Sequence, residues 1–132
     1  MTVIKAEWAY ERPNWAKPRL VPPATPLTTH WTGESGANYE FTLHGFGAFC
    51  AQPGVYAFCK AAHGRWVPVY IGETDSFARR IGGDLTLHRA WTAIRDAGAT
   101  HLAILPVQGS QAKRIEIAKD LKAKYRPVCN QE

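Results

Sequence analysis

Two apolar runs, Val55 to Lys60 and Trp66 to Ile71, are joined by a short stretch that turns at Gly64. A connection this short pairs consecutive strands as an antiparallel hairpin, because parallel pairing needs a crossover of a dozen or more residues. Both runs carry a glycine close to a tyrosine. Gly54-Val55-Tyr56 opens the first and Tyr70-Ile71-Gly72 closes the second. Glycine in a strand allows another group to approach the backbone closely. Two phenols on paired strands can therefore be presented to one pocket.

The chain after the hairpin alternates between helix and strand signals. Thr74 or Asp75 can cap a helix beginning near Ser76, which carries Phe77, Arg79, Arg80 and Ile81 and stops at Gly82-Gly83. A second helix is expected from about Thr86 to Ala97, with Leu87, Trp91 and Ile94 on one face and Gly98 as its stop. Thr100 to Val107 reads as a third strand, with Pro106 marking an edge or an exit. Gln111 to Tyr125 reads as a closing helix that turns Ile117, Leu121 and Tyr125 inward and ends before Pro127. The expected fold class is α/β (α+β), in the order β-β-α-α-β-α. It places a small three-stranded mixed sheet between flanking helices over residues 54–132.

Residues 1–53 read differently, as an irregular Pro/Trp-rich extension packed on that core. Trp8, Pro13, Trp15, Pro18, Pro22, Pro23, Pro26 and Trp31 favour an extended path with isolated aromatic anchors. Packing is the first job for these indoles, and base stacking by Trp8 or Trp15 is a second. Gly33-Glu34-Ser35-Gly36 reads as a turn, and Tyr39 to Leu43 alternates like a short strand.

Composition narrows the function classes. A chain of 132 residues is one domain with room for a core. No apolar run reaches membrane-spanning length, and the N-terminus lacks the build of a signal peptide, so a cytoplasmic location is expected. The three cysteines, Cys50, Cys59 and Cys129, form no Cys-x-x-Cys pair, which argues against structural zinc and for buried thiols in a reducing compartment. The net charge is +5, and residues 54–132 carry all of the excess, with twelve Lys/Arg against seven Asp/Glu. A polyanionic partner would be drawn to that half.

The polar residues of the same half complete a constellation. Arg80 follows Tyr70 by ten positions, Glu116 lies on the closing helix with Lys113 and Asp120 on its face, and Asn130 follows Arg126-Pro127-Val128-Cys129. Each has a plain structural role open to it. Tyrosines pack in strands, arginines sit on surfaces, Glu116 can pair with Lys113, and Asn130 can be a polar chain end. In this order and spacing the set resembles the GIY-YIG nuclease family, over residues 54–130.

That resemblance implies a metal-dependent endonuclease hydrolysing DNA with one Mg²⁺ or Mn²⁺. Tyr56 or Tyr70 would be the general base, Tyr56 in the first instance, with the other phenol positioning water. Arg80 would clamp the scissile phosphate, Glu116 would hold the metal and Asn130 would brace the last helix against the active-site tyrosine. Gly54 and Gly72 would be the motif glycines, and Arg79, His88, Arg89 and Lys113 candidate nucleic-acid contacts. One departure stands out. Where the family often has His or Tyr one helical turn after the arginine, this chain has Asp84. His88 could fold back into that space, although its default place is on the surface of the second helix. Two other readings compete with the enzyme. One is a binding module on the same scaffold with weak or no turnover; the other is a protein-interaction domain using the Trp-rich N-terminus. Both a monomer and a homodimer fit the sequence.

Overall fold

The computed structural model describes residues 27–130. The expectations for Trp8, Trp15 and the proline-rich stretch before Leu27 lie outside the described residues. The expected hairpin is present: β3 (Gly54–Ala62) pairs antiparallel with β4 (Arg65–Thr74), with Tyr56 opposite Gly72 and Phe58 opposite Tyr70. The register slips between Phe58 and Cys59, next to Pro68. Proline has no N–H for the ladder, and β4 is an edge strand, where such a break is tolerated.

The order over residues 54–125 is as expected: β3, β4, α1 (Phe77–Ile81), α2 (Trp91–Asp96), β5 (His101–Pro106) and α3 (Gln111–Tyr125). The sheet, however, has five strands rather than three, and it is antiparallel throughout rather than mixed. β1 (Thr28–Thr32) and β2 (Asn38–His44) form a hairpin, and β2 joins the free side of β5, giving the order β1-β2-β5-β3-β4. The boundary expected at residue 53 therefore does not separate extension from core, because residues 28–44 supply two strands of the main sheet. The short β-branched run Thr28-Thr29 before Trp31 was hidden behind the prolines. Trp31 and Phe41 are buried, and that burial ties the hairpin to the core.

Alternation along β3 sorts the two faces of the sheet. Val55, Ala57 and Cys59 point toward α3, where Ile117, Ala118 and Leu121 cover them together with Trp31, Phe41 and Ile71. Tyr56 and Phe58 point the other way, toward Phe77, Ile81 and Ile94 of α1 and α2. As expected, α3 turns Ile117 and Leu121 inward, with Tyr125 half-buried beside them.

The second helix departs from expectation. A 3₁₀ turn (Leu85–Leu87) comes first, α2 starts only at Trp91, and the backbone at His88 is extended (φ −74°, ψ 130°). Asp84 accepts hydrogen bonds from the Thr86 N–H and hydroxyl and so shapes this turn. Leu87, expected on the apolar face, is exposed, and His88 is buried instead. No helix among the described residues is long and apolar enough to cross a membrane.

Candidate functional site

The tyrosine motifs meet where β4 forms the sheet edge. Tyr56 is 1% exposed, and its ring stacks near that of Tyr70 with centroids 6.2 Å apart and 29° between planes. A Cβ at Gly72 would stand 2.6 Å from Tyr56 Oη, so glycine is what allows the phenol to cross β4. Gly54 does similar work: a side chain there would overlap the Leu105 carbonyl and the Phe77 ring. The serine at 76, rather than Thr74 or Asp75, caps α1 by accepting from the Arg79 N–H. This fixes the helix that delivers Arg80.

Arg80 Nε donates to Tyr56 Oη at 3.4 Å, a long bond. Its neighbour Arg79 points outward and pairs with Asp75, both well exposed. A second donor reaches the same phenol oxygen. His88 is 4% exposed, and its Nε2 lies 2.9 Å from Tyr56 Oη. The Ala90 N–H donates to His88 Nδ1 at 3.1 Å, so the ring proton belongs on Nε2, which donates to Tyr56. Burial, with the charges of Arg80 and Arg89 adding to it, lowers the His88 pKa to about 4. Burial and the nearby Tyr70 push the Tyr56 phenol well above its ordinary value, and Arg80 opposes this only in part. His88 thus folds back onto Tyr56. His88 is not a surface contact as its default place implied, while Arg89 beside it is exposed.

Asn130 holds the other side of the site. Its Oδ1 accepts from the Ile71 N–H at 2.7 Å and its Nδ2 donates to the Ile71 carbonyl at 2.9 Å. The amide occupies the open edge of β4 as a neighbouring strand would, at the residue between Tyr70 and Gly72. Tyr56, Tyr70, Gly72, Arg80 and Asn130 line one cavity of about 340 Å³.

Glu116 is not there. The wall that α3 gives this cavity consists of Ile115, Ala118, Lys119 and Lys122. Glu116 is exposed and lines a different concavity, with Tyr39, Lys113 and Asp120. The reason is helical geometry: positions 115, 118, 119 and 122 share a face, and residue 116 is turned about 100° from 115. Lys113 lies on the Glu116 side, away from the tyrosines. Asp120, on the same face of α3 as Glu116, is satisfied by protein donors. It accepts from the Ser35 N–H and hydroxyl and from Tyr39 Oη, at 2.7 to 2.8 Å, which lowers its pKa and pins the β1–β2 hairpin to α3.

Among the described residues the only carboxylate lining the tyrosine cavity is Glu73, directly after Gly72. Arg114 Nε donates to it at 2.9 Å and Gln111 approaches at 3.4 Å, with Arg114 almost fully buried. Sequence reasoning passed over Glu73, Arg114, Lys119 and Lys122. The i, i+3, i+4, i+7 set running from Ile115 to Lys122 was the available signal. Mg²⁺ is usually held by one or two carboxylates completed by waters and substrate phosphate. Here, among the described residues, the one carboxylate is already paired with Arg114 and stands among Arg80, Lys119 and Lys122, whose charges disfavour a cation. Among the described residues no cluster of three or more His, Cys, Asp or Glu is placed to hold a metal.

No family model, no curated protein and no solved structure matches this chain.

Proposed function

We propose that this protein binds the phosphodiester backbone of nucleic acid in the cavity between β4 and α3, without a divalent cation. The observation that carries this reading is the α3 wall, where two lysines stand beside Ile115 and Ala118 and no carboxylate does. Arg80 adds a third positive charge, and the charge of Glu73 is offset by Arg114. A guanidinium offers phosphate a planar two-point contact, while ammonium groups act as adaptable point charges. Asn130 keeps the β4 edge in place, and the tyrosines form an aromatic floor. The excess positive charge of residues 54–132 supports the same partner.

The test is an anisotropy titration of labelled DNA in EDTA over a series of salt concentrations. Binding should weaken linearly on a log–log plot. Lys119→Ala and Lys122→Ala should each flatten the slope by roughly 1. Binding that appears only with Mg²⁺, or slopes unchanged in both variants, would overturn the proposal.

Phosphodiester hydrolysis, the activity the GIY-YIG resemblance implies, is the second reading. One observation favours it: Tyr56 Oη accepts N–H groups from His88 and Arg80, which stabilise a phenolate relative to a phenol. The buried setting of that phenol opposes it. A plasmid-nicking assay with Mg²⁺, Mn²⁺ or EDTA, run beside Glu73→Gln, separates the readings. Metal-dependent cutting that disappears in Glu73→Gln would establish hydrolysis. No cutting by protein that still shifts DNA on a gel would leave binding alone.

A further inference from the structure

Phe46 lies in the loop between β2 and β3 and is 41% exposed, yet its ring is held from beneath. Its centroid is 6.0 Å from that of Phe58, which is fully buried, and 5.9 Å from that of Trp91, both in edge-on contacts. Phe58 in turn touches the Tyr70 ring (6.4 Å) and the His88 ring (5.6 Å). Two ring contacts therefore connect an exposed aromatic to the floor of the cationic cavity. The residues flanking Phe46 are Gly45 and Gly47, and nothing stands within 4 Å of where a Cβ would be at either. Among the described residues, neither chain neighbour of Phe46 therefore has a side chain that could cover its ring.

We infer that the nucleic acid is single-stranded, with an unpaired base stacking on Phe46 while its backbone phosphate lies in the cavity of Arg80, Lys119 and Lys122. The inference rests on the phosphate-binding reading above and adds the substrate class to it. Aromatic platforms beside cationic grooves are how single strands are held, because every base has a face to stack and a duplex hides those faces. Among the described residues, α1 and α2 are five and six residues long and α3 is packed on the sheet, so no free helix is available to enter a duplex groove.

The test compares three fluorescein-labelled probes in EDTA: an oligothymidine strand, its duplex with oligoadenosine, and an abasic strand of equal length. Wild type, Phe46→Ala and Phe46→Trp are compared after melting curves confirm that they fold alike. The single strand should bind more tightly than the duplex. Phe46→Ala should weaken oligothymidine binding roughly 5- to 100-fold with the salt slope unchanged, and Phe46→Trp should restore it. On the abasic strand Phe46→Ala should have no effect. Equal affinity of wild type and Phe46→Ala for oligothymidine, or tighter binding of the duplex, would overturn the inference while leaving the phosphate site standing. Loss of all DNA binding in wild type would overturn both.

Discussion

The Tyr56 hydroxyl and the His88 imidazole form a buried hydrogen bond of 2.9 Å, and the direction of that bond is fixed by a third group, the Ala90 N–H on the far side of the ring. The imidazole is neutral because Nδ1 must keep its lone pair. A proton there would set two N–H donors face to face. The break in the helical run at residues 88–90 is the backbone consequence, since an uninterrupted helix would not leave the ring in this orientation.

Stability should therefore fall with acid in a defined window. The unfolded imidazole titrates near 6.5 and the folded one at about 4. Between these values the unfolded state binds more protons, so stability is full above about pH 6.5 and is lost as pH falls toward 4. The loss attributable to His88 is about 3 kcal/mol at most. Denaturant melts from pH 7 to 4 should show it, and His88→Gln should flatten the dependence in that range. A wild-type curve parallel to that of the variant would refute the assignment.

Asn130→Ala should destabilise the fold by about 1–3 kcal/mol, because it removes both bonds to Ile71 and leaves a partly buried peptide group unpaired. The same variant should also weaken DNA binding, since Tyr70 and Gly72 flank the released peptide. Asn130→Asp should fare no better. It lacks the donor for the Ile71 carbonyl and sets a negative charge against it.

Local pattern explains what could be read before the fold was known. The β3–β4 hairpin and the reach of α3 follow from short-range rules: a tight connection, helical periodicity and a proline stop. That Arg80 and Asn130 would join the two tyrosines is an implication of the GIY-YIG resemblance and not of any local rule. Other features depend on contacts distant in sequence. β1 becomes a strand because Trp31 is buried against Phe41 and donates to the Trp66 carbonyl. His88 leaves the helix because Tyr56 lies 32 positions earlier in the chain. Glu116 was misplaced for a different reason. The periodicity of α3 fixes which residues share a face, but only packing decides which face the cavity receives.

Gly72→Ala tests whether the close approach of Tyr56 is required. The added Cβ would stand 2.6 Å from both the phenol oxygen and the ring carbon that bears it, and the β3–β4 pairing holds both backbones. Displacing the ring would break its bond to His88, for an expected loss of about 1–3 kcal/mol. Thermal melts of Gly72→Ala and of the double variant Gly72→Ala/Tyr56→Phe decide the point. Removing the hydroxyl should recover part of the loss if the collision is the cause. No recovery would place the collision on the ring carbon, which the double variant keeps, and not on the hydroxyl.

Glu116→Ala and the two lysine variants make opposite predictions for the two readings of the site. Glu116 is exposed and stands outside the tyrosine cavity, so Glu116→Ala should change stability by less than about 0.5 kcal/mol. It should leave DNA affinity in EDTA unchanged or slightly raised, since one negative charge is removed from a basic domain. Lys119→Ala and Lys122→Ala should each weaken binding at low salt, and the loss should shrink as salt rises, because what is removed is counterion release. If Glu116→Ala abolished DNA binding or cutting while the lysine variants behaved as wild type, the charge arrangement assigned to the cavity would be wrong. The catalytic face would then be the concavity beside Tyr39 and Asp120.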